Sequence, residues 1–292
     1  MTKIGKWPKI GNIVLSILLI VTLAAGCGQQ QAEQEVKGTV KIGYINWQED
    51  VAVTNLWKEI LEEKGYKVEL LNVDVAPLFV GLSKGDLDLF LDSWLPLTQQ
   101  AYWEKYKDKL DDYGSWYQGE AKIGLVVPKY VSINSIDELN GQKSKFREQI
   151  IGIDPGAGIM KTTDKAVKDY ALSYEISQGS EAAMLATLDK AYKDNKWLVV
   201  TGWSPHWMFS KYDLKYLTDP KKTYGVAEGL HILANKEFTQ KLPSIASILK
   251  KFKLNDQQIG SLEGLISQGL APQDAAKKWA ADNKTLVNSW MN

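Results

Sequence analysis

Three tryptophans lie where predicted strands end, and their positions suggest a binding site. Trp47 follows the apolar run VKIGYIN, Trp94 follows DLDLFLDS, and Trp203 follows KWLVVTG. In open α/β sheets, ligands bind at the carboxyl ends of the strands. Pro96 and Pro205 come two residues after Trp94 and Trp203, where a proline helps to stop the strand and fix the turn. We therefore expect these three indoles to face a ligand.

Three indole rings around one cleft suit a cation that has no hydrogen-bond donors. A quaternary ammonium is attracted to the ring faces by about 0.5–2 kcal/mol per ring when water is excluded, and the rings also bury its methyl groups. A sugar is the alternative, because sugars stack on aromatic rings as well. A sugar site usually adds several polar side chains, however, and this chain has only Arg147, His206 and His231 as arginine and histidines.

A second candidate site is the segment IIGIDPGAGIM, residues 150–160. We expect a strand to end at Asp154, a Pro-Gly turn to follow, and a helix to begin near Gly158. The free N–H groups of Gly158 and Ile159 would then point out of a helix N-terminus, which favours an anion. A tight strand-to-helix connection without a ligand is the alternative. Together with the tryptophans, the segment indicates a zwitterion that carries an ammonium and a carboxylate.

Composition excludes several other functions. The 292 residues carry 35 basic and 35 acidic side chains, whereas a nucleic-acid-binding protein normally has a basic excess. One cysteine and two histidines are too few for a zinc or iron–sulfur site, so we predict no metal and no cofactor. The sequence has no P-loop, no G-x-S-x-G and no H-E-x-x-H. Glu49, Asp50 and Asp92 leave a paired-carboxylate enzyme open as an alternative.

The first 26 residues have the layout of a signal peptide. Lysines at positions 3, 6 and 9 precede an apolar run over 13–23, and small residues then lead to Cys27. The segment resembles a bacterial lipobox, in which the cysteine is lipidated and becomes the mature N-terminus; an ordinary signal peptide is the alternative. We expect residues 27–37 to be a lipid-anchored tether, and the domain to lie on the extracytoplasmic face of the cell membrane.

The rest of the chain alternates apolar runs with amphipathic stretches. This alternation predicts mostly parallel sheets with helices on their faces, in two sets that form two α/β lobes. Helices are predicted over Ile159–Tyr170 and Ser180–Asp194, and the tail over Leu242–Trp290 is predicted to be nearly all helical.

The chain resembles the glycine betaine-binding proteins of bacterial ABC transporters. The resemblance rests on IGYINW, WLPLT, IGIDPGAGIM, SEAAMLATL and TGWSPHWMF, and it extends over the mature chain. It implies an α/β, two-lobe periplasmic-binding-protein-like (type II) fold with a hinge between the lobes. Residues 38–124 plus 225–292 would form lobe I, and residues 125–224 would form lobe II.

The resemblance also implies the roles of the site residues. The family's cage corresponds to Trp47, Trp94 and Trp203, and its carboxylate-binding amides correspond to Gly158 and Ile159. Gln99 stands where betaine-binding relatives have a histidine that donates to the ligand carboxylate, and an amide can still donate there.

Choline receptors of similar sequence make choline the alternative ligand. They have an acidic residue at the position of Glu49 and a tyrosine at the position of Ile123. Because Ile123 replaces that tyrosine and the DPGAGI segment is intact, we expect a betaine-type zwitterion.

By the same resemblance, the function is capture of a small quaternary ammonium compound for osmoprotectant uptake. The partners would be a membrane permease and a separate ATPase subunit, since this chain has no nucleotide site. The alternative from another class is a lipoprotein enzyme acting on methylamines. Such an enzyme would need an acid–base pair facing the cage.

Overall fold

The computed structural model describes residues 1–2 and 36–291. Cys27, the tether up to residue 35, and the predicted signal peptide beyond its first two residues lie outside the described residues. Among the described residues, no helix combines the length and the hydrophobicity needed to span a bilayer.

Strands and helices alternate through the first two thirds of the described chain, and helices alone form its end. The strands are β1 (Thr39–Tyr44), β2 (Lys67–Asn72), β3 (Leu89–Leu95), β4 (Leu110–Ser115), β5 (Lys122–Pro128), β6 (Gln149–Ile151), β7 (Glu175–Ser177), β8 (Val200–Ser204), β9 (Leu214–Tyr216) and β10 (Gly229–Asn235). The α-helices are α1 (Gln48–Glu63), α2 (Val75–Lys84), α3 (Gln100–Tyr106), α4 (Gly158–Asp169), α5 (Glu181–Lys193), α6 (Met208–Lys211), α7 (Lys236–Lys241), α8 (Pro243–Lys251), α9 (Asp256–Ser267), α10 (Pro272–Asp282) and α11 (Lys284–Met291).

The strands form two five-stranded sheets. The first sheet has the order β2-β1-β3-β10-β4, and the second has the order β7-β6-β8-β5-β9. The prediction of an α/β fold with two sets of strands and helices is therefore confirmed. The prediction of mostly parallel sheets is confirmed apart from one strand in each sheet: β10 runs antiparallel to β3 and β4, and β5 runs antiparallel to β8 and β9.

The antiparallel strands follow the two places where the chain crosses between the sheets. The first crossing joins β4 to β5, and the second joins β9 to β10. The crossings lie side by side, since Ala121 and Glu228 form an isolated antiparallel bridge in which Glu228 N–H donates to the Ala121 carbonyl at 2.7 Å. A strand that enters a sheet directly from such a crossing runs against its neighbours, which explains the mixed sheets.

Helix ends follow the sequence signals closely. Gly65 has φ 87° just beyond the end of α1, in the left-handed conformation that glycine adopts readily. The helices predicted over Ile159–Tyr170 and Ser180–Asp194 are found within one residue, as α4 and α5.

The helices at the end of the chain pack on the first sheet and its helices. Helix α1 packs against α9 and α10, and α8 packs against β4. The rings of Trp57 and Trp290 meet Phe252 edge-on, with centroids 5.3 and 4.9 Å away. This aromatic cluster holds the end of the chain against α1, whose first turn lies at the candidate site.

Candidate ligand-binding site

The three strand-end tryptophans line one cavity. Trp47, Trp94 and Trp203 line a small cavity, and each is at most 5% exposed to solvent. The three rings are therefore largely shielded from bulk water, and the space between them suits a small ligand.

Each tryptophan is positioned by the end of a buried element. Trp94 and Trp203 are the penultimate residues of β3 and β8, which are interior strands of the two sheets. The prolines that follow them, Pro96 and Pro205, are both joined by cis peptide bonds. Trp47 is instead the residue before the first turn of α1.

Two buried carboxylates fix the loops that carry this cage. Asp50, in the first turn of α1, accepts from Ile45 N–H at 2.7 Å and so holds the turn that contains Trp47. Glu228, next to the bridge between the crossings, accepts from the N–H groups of Leu97 and Thr98 at 2.6 and 2.8 Å. The loop after Trp94 is therefore tied to a crossing segment.

Acidic side chains also accept hydrogen bonds from two of the three indole N–H groups. Trp203 Nε1 donates to Glu49 Oε2 at 2.9 Å, and Trp94 Nε1 donates to Asp92 Oδ2 at 3.3 Å. Glu49 is 154 residues from Trp203 and lies on α1, beside the first sheet, whereas Trp203 lies in the second sheet. The hydrogen bond between them therefore joins the two sides of the cavity.

These carboxyl groups belong to a buried acidic cluster, consisting of Glu49, Asp92, Glu181 and Glu263. Burial raises the pKa of Glu49 well above its usual value, and the nearby charges of Asp92, Glu181 and Glu263 raise it further. Burial also raises the pKa of Asp92 and brings the pKa of Glu263 to about 8. Protonation of Glu263 at neutral pH therefore relieves part of the repulsion within the cluster.

The predicted anion site also lies on the cavity wall. Ala157, Gly158 and Ile159 line it, and Gly158 is the first residue of α4. The N–H groups of the first residues of a helix have no partner within the helix, so those of Gly158 and Ile159 are available to an anion. A Cβ on Gly158 would lie 2.2 Å from the Thr98 carbonyl oxygen, which explains the glycine at this position.

Gln99 is close to the cavity but is not among the residues that line it. Its side chain is fully buried, and its Oε1 accepts from Ser93 Oγ at 3.0 Å. Its Nε2 has no hydrogen-bond partner among the described residues. The amide nitrogen thus keeps both of its N–H donors free, and its predicted role at the ligand stays a prediction.

Sequence reasoning missed part of the wall. Thr98, Ile153 and Ala157 also line the cavity, although nothing in their residue types indicates a site. Their neighbours in the chain were the available signal, since each lies within a segment already assigned to the site. Ile123 lines the cavity too, at the position where similar choline receptors have tyrosine.

The wall offers little for catalysis or metal binding. Among the described residues that line the cavity, Glu49 is the one titratable side chain, so the wall contains no acid–base pair. Within the described ranges, no group of three or more His, Cys, Asp or Glu side chains could hold a metal ion.

The pKa of Glu263 leads to a prediction about stability. An unfolded chain ionises this carboxyl above about pH 4.3, whereas the folded protein keeps it protonated up to about pH 8. Folding therefore takes up a proton, and the free energy of unfolding should fall between pH 5 and 8 by about 1.4 kcal/mol per pH unit for this group. Glu263→Gln should reduce the slope by about that amount in urea denaturation at pH 5, 6, 7 and 8.

Glu237→Gln is the matched control, because the Glu237 side chain is 72% exposed and should leave the slope unchanged. A slope that Glu263→Gln does not alter would show that Glu263 is ionised in the folded protein.

Comparison with known proteins agrees with this geometry. The sequence family described as the substrate-binding domain of the ABC-type glycine betaine transport system matches residues 38–282. The glycine betaine/carnitine transport binding protein GbuC of Listeria monocytogenes is 44% identical over 144 residues, which is 48% of this chain and 48% of GbuC. The alignment thus spans about half the length of that relative.

Two solved structures show the fold. Lactococcal OpuAC, closed and complexed with glycine betaine, has a TM-score of 0.82 at 36% identity, and the match covers 87% of this chain and 100% of that chain. An ABC-transporter choline binding protein in complex with choline has a TM-score of 0.80 at 25% identity over 87% of this chain and 91% of that chain. These likenesses confirm the type II fold of periplasmic binding proteins. The chain belongs to the family of substrate-binding domains of ABC-type glycine betaine transport systems.

Proposed function

We propose that this substrate-binding protein captures glycine betaine, or a related quaternary ammonium zwitterion, for import as an osmoprotectant. One observation carries the proposal: three tryptophans and the first residues of α4 line the same cavity. The rings suit the ammonium, and the helix start suits the carboxylate. The relatives named above, which bind glycine betaine or carnitine by their names, support this ligand class.

The ammonium end is held by the cage of Trp47, Trp94 and Trp203. Each ring face contributes about 0.5–2 kcal/mol toward a desolvated cation, and the low exposure of the three rings meets the condition of desolvation. A quaternary ammonium has no N–H groups, so the apolar cage leaves no donor unpaired.

The carboxylate end is held by the backbone N–H groups of Gly158 and Ile159. The positive end of the α4 dipole adds to this attraction. Gln99 is the third donor in the proposal, because its Nε2 has no hydrogen-bond partner among the described residues. A neutral amide adds no positive charge that would repel the ammonium.

Choline is the second candidate ligand, and the position of Glu49 favours it. Glu49 lines the cavity, where an ionised carboxylate would stabilise a ligand with a net positive charge. The raised pKa of Glu49 counts against this, since a protonated carboxyl gives no such advantage. The apolar Ile123 on the same wall also offers choline no hydrogen bond.

Capture requires the two sides of the site to separate and close. We propose that the first and second sheets form the cores of the predicted lobes, 38–124 plus 225–292 and 125–224, with the two chain crossings as the hinge. Strand β5 begins at Lys122, so the proposed boundary at 124 falls within that strand. Closure would bring Trp203 and the start of α4 onto a ligand already resting on Trp47 and Trp94.

Delivery follows from the same proposal. The closed form would dock on a membrane permease, and a separate ATPase subunit would supply the energy. Lipidation at Cys27 would keep the protein on the extracytoplasmic face of the cell membrane, within reach of that permease. The protein would release its ligand chemically unchanged, in contrast to an enzyme acting on methylamines.

Substitutions in the cage should weaken binding without unfolding the protein. Trp47→Phe, Trp94→Phe and Trp203→Phe each keep an aromatic ring but present a weaker cation–π surface, so we expect the Kd for glycine betaine to rise about 3- to 30-fold. Calorimetric titration with glycine betaine, carnitine and choline measures this directly. Trp103→Phe is the control, because Trp103 packs outside the cavity.

Two outcomes would contradict the proposal. If choline alone binds, Glu49 determines the ligand and the start of α4 does not hold a carboxylate. If no quaternary ammonium compound binds, the cage has another ligand, and a sugar becomes the first candidate.

Gly158→Ala should block closure. The new Cβ would lie 2.2 Å from the Thr98 carbonyl oxygen, whereas a Cβ on Gly156 would meet nothing within 4 Å. Because the clash arises only when the two sides meet, we expect Gly158→Ala to unfold at the same urea concentration as the unmodified protein without ligand. Its Kd for glycine betaine should rise more than about tenfold, and small-angle scattering should show no ligand-induced compaction.

Gly156→Ala should behave like the unmodified protein, and equal binding by both variants would refute closure at this contact.

A further inference from the structure

One hydrogen bond behind the cavity joins helices that belong to different sheets. Glu181 Oε2 accepts from Gln48 N–H at 3.0 Å across 133 residues of sequence. Gln48 begins α1, which packs on the first sheet, and Glu181 begins α5, which lies between β7 and β8 of the second sheet in the chain. The Glu181 side chain is buried.

This contact supplies a helix cap that α1 does not provide for itself. The residue at its N-cap position is Trp47, which makes no side-chain capping hydrogen bond. The first N–H groups of a helix need an outside acceptor, and a carboxylate there also interacts favourably with the helix dipole. The acceptor for Gln48 N–H comes from the opposite side of the cleft.

The other oxygen of Glu181 is bound on its own side. His206 Nε2 lies 3.0 Å from Glu181 Oε1, while His206 Nδ1 accepts from Met208 N–H at 3.0 Å. Because Nδ1 is an acceptor, the proton of the neutral ring is on Nε2, and this N–H donates to Glu181. The carboxylate is therefore aimed across the cleft before α1 arrives.

Both ends of this chain of contacts reach the cage. Gln48 directly follows Trp47, and the His206 ring meets the Trp203 ring edge-on with centroids 4.9 Å apart. Glu181 itself does not line the cavity. It therefore acts on the ligand indirectly, through the positions of the two tryptophans and through its charge near Glu49.

We propose that Glu181 is a positioning residue that holds the closed cleft shut, by capping α1 across the cleft while His206 orients its carboxylate. The proposal rests on the proposed ligand capture by closure. When the cleft opens, Gln48 N–H exchanges Glu181 for water, so the contact contributes to the closed form alone. Its loss should speed ligand release and leave the ligand-free protein as stable as before.

Stopped-flow release of glycine betaine tests the proposal. In Glu181→Gln, the side-chain amide has one acceptor oxygen for two donors, Gln48 N–H and His206 Nε2–H, and its NH₂ group would face one of them. The dissociation rate should therefore rise about tenfold. The association rate should stay within about twofold, because binding precedes closure. Urea unfolding without ligand should be unchanged, which a merely structural role would not predict.

Asp189→Asn is the matched control on the same helix. Asp189 accepts from Tyr212 and Lys193, which lie beside it in the second sheet's part of the chain, so its loss should not affect release. Equal release rates for Glu181→Gln and the unmodified protein would overturn the proposed role of Glu181 and leave the proposed function intact. If the unmodified protein binds neither glycine betaine nor choline, the proposed function fails, and the proposed role of Glu181 fails with it.

Discussion

The attraction between a quaternary ammonium and an indole ring is strong only when water is excluded, and the arrangement of the rest of the structure shields the rings from water. Three rings must meet around one small volume, yet they come from the start of α1, the end of β3 and the end of β8. No single element can carry them all. Two sheets that close on each other are a direct way to bring the rings together and to expel the water between them.

Several polar groups are buried around this cavity, and two hydrogen bonds join its two sides. The indole N–H of Trp203 donates to Glu49, and Gln48 N–H at the start of α1 donates to Glu181. Buried carboxylates repel one another, and protonation relieves that repulsion. Burial and the neighbouring acidic groups accordingly raise the pKa of Glu49, and they raise the pKa of Glu263 to about 8. Glu49 thus fixes Trp203 and belongs to a cluster in which burial raises the pKa of Glu49, Asp92 and Glu263.

Short-range patterns in the sequence predicted the cage and the helix start, because strand ends and Pro-Gly turns are local features. The mixed sheets could not be predicted in this way, since the direction of β5 and β10 depends on where the chain crosses between the sheets. The contacts of Glu49 and Glu181 join residues 154 and 133 positions apart, and no local pattern indicates them. Gln99 was assigned by resemblance, and its Oε1 is bound to Ser93, a partner that the resemblance did not imply.

The most direct test of the account compares glycine betaine with 3,3-dimethylbutanoate by calorimetry. The two ligands share a carboxylate and three methyl groups, but the second has carbon in place of the ammonium nitrogen. Three ring faces at about 0.5–2 kcal/mol each predict at least about tenfold tighter binding of glycine betaine. The difference in affinity between the two ligands should be smaller in Trp203→Phe. Equal affinities for the two ligands would show that the cage recognises shape alone, and would contradict the central claim.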